Sequence, residues 1–413
     1  MSTPYLGPDD FDSVSDVLAA LAGGEFAVIV DDESPTGEGY LAISAEHVST
    51  EQMSFLVRHT SGYACVAMTE ARATALDLPL MVTEHHGDHH RVTFGVSVDV
   101  VRGTTTGISA ADRATTARAL ADPATAPKDL SRPGHVVPLL ARPGGVLERR
   151  GHAEAGVDLC LLAGGTGVVV LSVLVDDQGD PAPKQSLFSF ARQHSMPIIT
   201  INATVTHRST TETLVRRLSS ARIPIGAGAF VAHAYGALDG TEHLAFVADR
   251  PYGPGPTPLV RIHSECLTGD VFGSLRCDCG PQLDESLRSV AASGDGAVVY
   301  LRGHEGRGIG LAAKLAAYAL QEHGYDTVEA NAALGLPIDS RDYAVAASVL
   351  RDLGLTSIRL LTNNPAKAAA LELHGITIVE VVRTSAHLTP HNIGYLHTKN
   401  EKLGQRIPLA PTA

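Results

Sequence analysis

Residues 263–280 read HSECLTGDVFGSLRCDCG, and three of the five cysteines of the chain, Cys266, Cys277 and Cys279, lie in this stretch. Three thiolates without a nearby fourth Cys or His would leave one open position on a tetrahedral zinc ion, as a catalytic zinc requires. Water at such a position ionises near neutral pH and becomes a nucleophile. Two other interpretations stay open on spacing alone: a structural zinc whose fourth ligand is His263 or His304, or buried thiols without a metal.

The segments on either side of this stretch predict an α/β fold for the second half of the chain. Apolar segments before it, at 227–235 and 243–247, are typical of antiparallel strands, and the Pro/Gly-rich segment 251–258 is typical of a loop. After Pro281 the pattern alternates between helix and strand, which indicates helices layered on a sheet. The alternating segments are 282–292, 298–301, 309–323, 343–353, 358–361, 365–374 and 376–382.

The first half of the chain predicts a separate α/β domain. Apolar residues at helical spacing in 14–21 precede an apolar run at 26–30 that is typical of a buried strand. Further strands are expected at 92–101, 168–175 and 198–201, and helices at 110–121 and 187–194. The sequence turns polar from 205 to 220, which places a boundary near residue 207. We therefore expect two domains, 1–207 and 208–413, of α/β (α+β) class.

The bulk composition limits the partners of the protein. A chain of 413 residues favours two domains, and a formal net charge of −13 argues against a nucleic-acid or membrane surface, since those partners require an extended basic field. A small anionic substrate remains compatible, because a pocket needs only a few local cations. No segment has the pattern of a signal peptide or the length of a membrane span, so a cytoplasmic location is expected.

The second half resembles GTP cyclohydrolase II over residues 215–405, with several motifs in the order and at the spacing of that family. The motifs are RIHSECLTGDVFGSLRCDCGPQL (261–283), LRGHEGRGIGL (301–311), AYALQEHGYDTVEAN (317–331), DSRDY (339–343) and LLTNNPAK (360–367). Enzymes of this family open the imidazole ring of GTP at the head of riboflavin synthesis. They release formate and diphosphate and leave a diaminopyrimidine ribosylamino phosphate.

The resemblance implies a set of site residues, a zinc ion, Mg²⁺ with the triphosphate, and a homodimer. Zinc is expected on Cys266, Cys277 and Cys279, and the catalytic residues are expected to be Tyr318, Asp339 and Arg341. GTP is expected to contact Arg261, Ile262, His263, Ser264, Glu265, Gln282, Glu305, Gly306, Arg307, Thr327, Thr362 and Lys367. None of these positions departs from the family pattern, so the second half is expected to be active.

Several of these residues also have ordinary structural interpretations. In the family Asp339 corresponds to a proposed proton acceptor, and Arg341 to a proposed nucleophile at the α-phosphorus. An arginine with a pKa above about 12 is better suited to clamp a phosphate, and in isolation the pair would be a surface ion pair. Glu305–Arg307 would be either a phosphate-binding turn, through backbone N–H groups and the Arg307 side chain, or a simple tight turn. Tyr318 alone would be a core tyrosine.

The first half resembles 3,4-dihydroxy-2-butanone 4-phosphate synthase over residues 10–204. This family is fused ahead of GTP cyclohydrolase II in many bacterial bifunctional riboflavin proteins, so the fold is expected to be shared. The supporting motifs are VIVDDE (28–33), TSGYACV (60–66), TTGISAADRATTARALAD (105–122), SRPGHVVPL (131–139) and GGVLERRGHAEAGVDL (144–159).

The acidic residues that this synthase needs for Mg²⁺ and proton transfer are largely replaced. Where the family reads Arg-Glu-Asn-Glu-Gly-Asp, residues 35–40 read PTGEGY, so that Thr36 and Tyr40 stand in place of two carboxylates. A further glutamate of the family aligns with Val173, although His152 and Glu38 remain. Because hard cations depend on anionic oxygen donors, we expect this domain to lack synthase activity and to persist as a folding, dimerisation or regulatory partner.

The segment 84–91, EHHGDHHR, contains four histidines, His85, His86, His89 and His90. They could bind a transition metal, but an exposed polar loop is the interpretation that we favour. Three functional hypotheses remain at this stage: a cyclohydrolase with an inactive first domain, a fully bifunctional enzyme that also converts ribulose 5-phosphate, and a non-enzymatic zinc protein that senses GTP. The first is favoured, because the expected catalytic residues accompany the expected zinc ligands.

Overall fold

The structure, a computed structural model, describes residues 10–32, 37–82, 92–249, 257–337, 339 and 341–408. The chain divides into two compact units, Met1–Arg208 and Ser209–Ala413, here called the first and second units. The histidine-rich segment 84–91 and the residues Pro35 and Thr36 lie outside the described residues. The predictions made for them therefore remain predictions.

Apolar residues occupy consecutive positions in the central strands of the first unit, so helices must cover both faces of its sheet. Strand β1 (Ala27–Val30) is buried at all four positions. Val28 and Val30 pack into one core cluster and Ala27 and Ile29 into another. Because side chains alternate along a strand, the two clusters lie on opposite faces of the sheet.

The remaining strands of the first unit are β2 (Gly39–Ser44), β3 (Cys65–Thr69), β4 (Thr93–Phe94), β5 (Val98–Val100), β6 (Leu130–Ala141), β7 (Val169–Val173) and β8 (Ile198–Thr200). Its helices are α1 (Val14–Ala22), α2 (Thr50–His59), α3 (Glu70–Ala75), α4 (Ala110–Ala121), α5 (His152–Leu162), α6 (Lys184–Gln193) and α7 (Ile201–Thr211). The strand order is β4-β6-β3-β7-β2-β1-β8, with β5 paired to β6. Helices α2, α3, α4 and α6 supply one core cluster, and α1, α5 and α7 supply the other.

The strands of the second unit are β9 (Val215–Ile225), β10 (Gly228–Ala237), β11 (Glu242–Ala248), β12 (Leu259–Ser264), β13 (Gly296–Leu301), β14 (Ser357–Leu361) and β15 (Thr377–Val382). Its helices are α8 (Leu267–Asp270), α9 (Cys279–Ser293), α10 (Leu311–Glu322), α11 (Thr327–Ala333), α12 (Ala344–Asp352), α13 (Pro365–Leu373) and α14 (Ile393–Glu401). The strand order is β15-β14-β12-β13-β11-β10-β9.

The sheet of the second unit has an antiparallel half and a parallel half. Strands β9, β10, β11 and β13 pair antiparallel in that order. Strands β13, β12, β14 and β15 pair parallel, so their carboxyl ends lie at one edge of the sheet. In open α/β sheets, ligands bind at such an edge, because the loops that follow the strands converge there.

Three expectations for local structure differ from what is observed. The polar segment 205–220 forms the end of α7 and the start of the exposed strand β9. The strand expected at 92–101 is two short strands, β4 and β5, which pair with different parts of β6. Helix α10 begins at Leu311 instead of residue 309, because Gly308 and Gly310 both have a left-handed backbone. None of the helices in the described residues is long and apolar enough to cross a membrane.

Candidate active site

The carboxyl ends of the parallel strands in the second unit bring the sequence motifs together. Strand β12 ends at Ser264, two residues before Cys266, and the Glu305–Arg307 turn follows β13. Thr362 follows β14 and precedes helix α13, whose first turn carries Lys367. These segments surround one cavity of about 1030 Å³ of empty space, part of which is open to solvent. The sequence motifs therefore meet at this cavity.

Most of the residues predicted from the sequence line this cavity. They are Arg261, His263, Ser264, Glu265, Cys266, Cys277, Cys279, Gln282, Glu305, Gly306, Arg307, Tyr318, Thr327, Arg341, Thr362 and Lys367. Two predicted residues are not among the lining residues. Ile262 is buried in β12 and its carbonyl oxygen accepts a hydrogen bond from Lys367 at 2.9 Å. Asp339 accepts hydrogen bonds from Arg341, which does line the cavity.

The three cysteines form a tight cluster at the N-terminus of helix α9. Their sulfur atoms all lie within 4.8 Å of one another, and the Sγ atoms of Cys266 and Cys277 are 3.7 Å apart. A tetrahedral zinc with Zn–S bonds of about 2.3 Å would hold sulfurs roughly 3.8 Å apart, so the cluster fits this ion. A Cβ at Gly269 would approach Cys277 Sγ to 2.7 Å, so the close approach of the cysteines depends on glycine there.

No fourth His, Cys, Asp or Glu joins this cluster in the described part of the chain. His263 directs its Nε2 at both carboxylate oxygens of Asp270, at 3.1 Å. His304 pairs its Nδ1 with Ser264 Oγ at 3.2 Å, and burial next to Arg341 lowers the pKa of His304 to about 3. The structure therefore gives no support to either histidine as a fourth zinc ligand.

Asp270 fixes the loop that carries Cys266. One of its oxygens accepts a hydrogen bond from the Cys266 backbone N–H at 2.9 Å and from the Tyr300 hydroxyl at 2.9 Å. The ring of His263 stacks on Tyr300 with a centroid separation of 5.4 Å. The His263 side chain therefore supports the cysteine loop as well as lining the cavity.

A second buried chain of hydrogen bonds supports the turn between the other two cysteines. Lys399 of α14 donates to Asp278 at 2.7 Å, and Asp278 also accepts from Gln282 at 2.6 Å. The side-chain oxygen Oε1 of Gln282 accepts from Arg261 at 2.9 Å. Asp278 is fully buried between Cys277 and Cys279, so its two partners hold the turn in place. The Gln282 side chain is therefore hydrogen-bonded to two other residues of the protein.

A lysine that the sequence motifs did not single out contacts the cysteine cluster. Lys314 of α10 donates to Cys266 Sγ at 3.1 Å, to Thr268 Oγ1 at 2.9 Å and to Glu305 at 2.5 Å. The other oxygen of Glu305 accepts the Leu267 backbone N–H at 2.6 Å. The Glu305 carboxylate is thus engaged with the protein on both oxygens.

The turn formed by Glu305–Arg307 presents a side chain instead of backbone donors. Its backbone N–H groups are used internally: Arg307 donates to the His304 carbonyl, and Gly308 and Gly310 to that of Glu305. Arg307 has a left-handed backbone, with φ of 69°, which non-glycine residues seldom adopt. The N–H groups of Arg307, Gly308 and Gly310 are thus engaged within the protein, and a phosphate contact at this turn stays a prediction, with the Arg307 side chain as its candidate donor.

Asp339 lies between two arginines. Arg341 donates to both of its oxygens, at 2.8 and 2.5 Å, and Arg307 donates at 3.3 Å. Burial opposes ionisation of Asp339, but the hydrogen bonds and charge of Arg341, followed by the charge of Arg307, leave its pKa below the usual value. Burial alone would lower the pKa of Arg341, yet its bond to Asp339 raises it further above the usual range. Both groups are therefore held in the charged form.

Cationic side chains are concentrated around the same cavity. Lys367 is fully surrounded by protein, and burial together with Arg261 and Arg341 lowers its pKa well below the usual value. A buried cation next to other cations is unfavourable unless an anion joins them. Arg261, Arg341 and Lys367 therefore form the part of the cavity best suited to a polyphosphate.

The C-terminal helix α14 adds residues to this cavity that the sequence motifs missed. Tyr395, Lys399 and the following Gln405 line it, and the Lys399 ammonium lies 4.4 Å from the centroid of the Tyr395 ring. Their spacing of four residues on a helix was the available signal, because it places both side chains on one face. The other lining residues that were missed are Ile309, Lys314, Ala317, Gln321, Asn331, Asn363, Asn364 and Thr384.

In the first unit, the described residues at the metal site expected from the synthase family include no group of three or more metal-ligating side chains. The Tyr40 ring stacks on the His152 ring with centroids 3.9 Å apart and an interplanar angle of 9°. The Tyr40 hydroxyl donates to Glu38 at 2.7 Å, and Tyr40 faces Val173 across strands β2 and β7. Among the described residues, only the three cysteines form a group of three or more metal-ligating side chains. The described part of this region does not fit Mg²⁺, which prefers carboxylate oxygens.

Comparison with known proteins identifies the family. A family model described as 3,4-dihydroxy-2-butanone 4-phosphate synthase matches residues 15–207, and one described as GTP cyclohydrolase II matches residues 216–383. The chain is 50% identical over 400 residues to the riboflavin biosynthesis protein RibBA of Nocardia farcinica, and 96% of each chain is covered. The chain belongs to the RibBA family of bifunctional riboflavin biosynthesis proteins.

A plant protein and a solved structure also match over most of this chain. The chain is 48% identical over 401 residues to the bifunctional riboflavin biosynthesis protein RIBA 1, chloroplastic, of Arabidopsis thaliana, covering 97% of this chain and 74% of that protein. The crystal structure of RibBX, a two-domain 3,4-dihydroxy-2-butanone 4-phosphate synthase from A. baumannii, matches with a TM-score of 0.69 and 31% identity. It covers 91% of this chain and 100% of its own.

These comparisons confirm the predicted family and the predicted α/β fold of both halves. They also confirm that the chain is an enzyme with GTP cyclohydrolase II activity and that GTP is its substrate.

Proposed function

We propose that the second unit is a zinc-dependent GTP cyclohydrolase II and that the first unit has lost synthase activity. The second unit would convert GTP to a diaminopyrimidine ribosylamino phosphate, formate and diphosphate. The observation that carries the zinc dependence is the cluster of three cysteine sulfurs, spaced for a tetrahedral ion and without a fourth protein ligand among the described residues. Zinc bound to Cys266, Cys277 and Cys279 would supply Lewis acidity at a position open to substrate.

The cationic side chains of the cavity bind the triphosphate in this proposal. Arg341 and Arg307 flank Asp339, and Arg261 and Lys367 lie deeper in the cavity. A guanidinium presents paired N–H donors that match phosphate oxygens, and because Arg341 stays protonated it acts as a clamp and not as a nucleophile. Asp339 orients the two arginines. Mg²⁺ accompanies the triphosphate as a counter-ion.

Tyr318 is the proposed proton-transfer residue near the ring that is opened. It lies on α10 one turn after Lys314, whose ammonium is 5.6 Å from the Tyr318 ring centroid. The Arg276 guanidinium lies 5.0 Å from the same centroid. Burial raises the pKa of Tyr318 to about 12, so the phenol stays protonated and able to donate a hydrogen bond.

The remaining predicted residues position the nucleotide in this proposal. Ser264 and Glu265 follow β12 at the cavity edge, Thr327 begins α11, and Thr362 precedes α13. Gly306 allows the chain to turn beneath the cavity, with φ of 58°. Ile262 and Glu305 act through the protein, since the Ile262 carbonyl holds Lys367 and the Glu305 carboxylate holds Lys314.

Zinc analysis combined with product identification from GTP tests the first part of the proposal. The purified wild-type chain is expected to contain zinc and to release formate when GTP is added. Cys277→Ser is expected to lose both, because a neutral hydroxyl is a poor zinc ligand. Cys160→Ser is the matched control, since Cys160 is equally buried but lies in the first unit. Metal-loaded wild-type protein that leaves GTP intact would refute the assignment.

The proposed loss of synthase activity is supported by the Tyr40–His152 stack. His152 is the retained ligand expected from the family, but its ring is covered by Tyr40. Burial lowers the pKa of His152 to about 4, with a further contribution from Arg149. The described part of the pocket offers the Glu38 carboxylate, which is already bonded to the Tyr40 hydroxyl. The described residues form no group of three or more candidate ligands around His152, whereas Mg²⁺ requires several oxygen donors.

An assay with ribulose 5-phosphate and Mg²⁺ tests this second part. Wild-type protein is expected to form no dihydroxybutanone phosphate, and its detection would show that the chain is fully bifunctional. A triple variant, Thr36→Glu, Tyr40→Asp and Val173→Glu, restores the carboxylates of the family. It is expected to bind Mg²⁺ in calorimetric titrations in which the wild-type first unit does not.

A homodimer is also proposed, by similarity to the family. Sedimentation equilibrium at several protein concentrations tests it, and a mass of one chain at all concentrations would contradict it.

A further inference from the structure

Lys314 contacts the cysteine cluster but has no role in the proposal above. It lies in the first turn of α10, and its side chain is only 9% exposed. Burying an ammonium group is unfavourable unless charged or polar partners surround it. Its position next to a metal-ligating sulfur therefore needs an explanation beyond packing.

The Lys314 ammonium has three N–H bonds, and each has a partner. They are Cys266 Sγ at 3.1 Å, Thr268 Oγ1 at 2.9 Å and Glu305 Oε1 at 2.5 Å. Two of these partners belong to the segment that carries the first cysteine, and the third belongs to the turn after β13. Lys314 thus joins two segments that are 37 or more positions apart in the sequence.

Glu305 completes the connection from the other side. Its Oε2 accepts the Leu267 backbone N–H at 2.6 Å, and its Oε1 also accepts the Gly306 N–H at 3.2 Å. The carboxylate therefore links the start of α8 to the turn that presents Arg307 toward the triphosphate part of the cavity. A shift of this turn would be transmitted to Cys266 through Glu305 and Lys314.

We propose that Lys314 is a positioning residue of the tri-cysteine site: it holds Cys266 in the geometry for metal and couples it to the Glu305–Arg307 turn. This inference rests on the proposed zinc site. Groups that hydrogen-bond to metal ligands orient them and tune their donor strength, and removing such a group commonly reduces metal affinity by about 10- to 100-fold. Lys314 donates such a hydrogen bond to Cys266, and Glu305 in turn accepts one from Lys314.

Zinc affinity of the full chain, measured by competition with a chromophoric chelator, tests the inference. Lys314→Met keeps the length of the side chain but removes the ammonium, and it is expected to bind zinc about 10- to 100-fold more weakly. Lys314→Arg restores a cationic donor and is expected to recover most of the affinity. Lys402→Met is the matched control, because Lys402 also pairs with carboxylates, Asp326 and Glu329, but on the surface.

Substitution of Co²⁺ for zinc gives a readout that a general loss of stability would not change. The thiolate-to-cobalt absorption bands report the geometry and donor strength of the sulfur ligands. They are expected to shift in Lys314→Met and to stay at the wild-type wavelengths in Lys402→Met. If Lys314→Met does not fold, Lys314→Gln, which keeps an N–H donor without the charge, is expected to show weaker zinc binding than Lys314→Arg.

The outcomes separate this inference from the proposed zinc dependence. Wild-type protein that binds no zinc would overturn both. Wild-type protein that binds zinc and releases formate, beside a folded Lys314→Met variant with the same affinity and the same cobalt spectrum, would overturn the role of Lys314 alone. If Lys314→Gln and Lys314→Arg bind zinc with equal affinity, the proposed role of Lys314 is also contradicted.

Discussion

At the scale of single residues, Asp339 and Arg341 show how geometry distinguishes two chemical roles. The sequence DSRDY is compatible with a proton acceptor beside a reactive arginine, and equally with a surface ion pair. In the structure the carboxylate accepts hydrogen bonds from two guanidinium groups, so it is poorly placed to take up a proton at neutral pH. We therefore propose that the pair binds an anion through Arg341.

Replacement of Arg341 by lysine tests this role. Lysine keeps the charge but cannot donate to both oxygens of Asp339 or to a phosphate in the same paired manner. We expect kcat/KM for formate release to fall roughly tenfold to a hundredfold, corresponding to about 1.5–3 kcal/mol for a charged hydrogen bond. Arg288→Lys is the control, because Arg288 pairs with Asp284 on the exposed face of α9. Full activity of Arg341→Lys would exclude a bidentate clamp.

At the scale of elements, helix α14 shows that the site extends past the region matched by the family model. That match ends at residue 383, whereas α14 covers Ile393–Glu401. Lys399 from this helix is bonded to the fully buried Asp278, between two of the cysteines. Burial lowers the pKa of Lys399, but the charges of Tyr395 and Asp278 raise it above the usual value overall. Helix α14 therefore supports the cysteine turn through one ion pair.

Loss of this ion pair is expected to destabilise the second unit. Lys399→Met leaves the Asp278 carboxylate buried without its cation, which costs about 3–5 kcal/mol in comparable cases. Urea unfolding followed by circular dichroism measures the change. Lys402→Met, on the next turn of the chain, is expected to leave the unfolding midpoint unchanged because its ion pairs are exposed. An unchanged unfolding midpoint for Lys399→Met would mean that another group compensates the buried charge of Asp278.

At the scale of the whole molecule, each unit has its own core, so the stability of each can respond to a different group. In the first unit the buried His152 ring has a pKa of about 4, against about 6.5 in an unfolded chain. Between these values the unfolded chain takes up a proton that the folded unit does not. Stability must therefore fall as the pH is lowered from about 6.5 toward 4.

Hydrogen exchange measured on peptides of the first unit tests this pH dependence. Protection of the strands around β2 and β7 is expected to decrease from pH 7 to pH 5 after correction for intrinsic exchange. His152→Gln should remove this loss of protection at low pH, whereas substitution of the exposed His47 by Gln should not. If wild type and His152→Gln lose protection in parallel, a different group governs the acid response.

Local patterns in the sequence predicted the alternating elements of the second unit and the cluster of cysteines. The cysteines are within fourteen residues of one another, and their loop is short enough for spacing to imply proximity. The exchange of two carboxylates for Thr36 and Tyr40 was also visible at the level of sequence. The stacking of Tyr40 on His152 was not visible, because it joins residues on β2 and α5 that only the folded sheet brings together.

The sequence by itself determined the family, the fold class of both halves and the chemical types of the candidate ligands, since these follow from periodicity and from motifs of a few residues. Only the tertiary structure decided which residues hold the candidate ligands in place. Lys314 meets Cys266 across 48 positions, and Lys399 meets Asp278 across 121. Contacts at such separations depend on how the parallel strands order the loops at one edge of the sheet, and no local pattern encodes that arrangement.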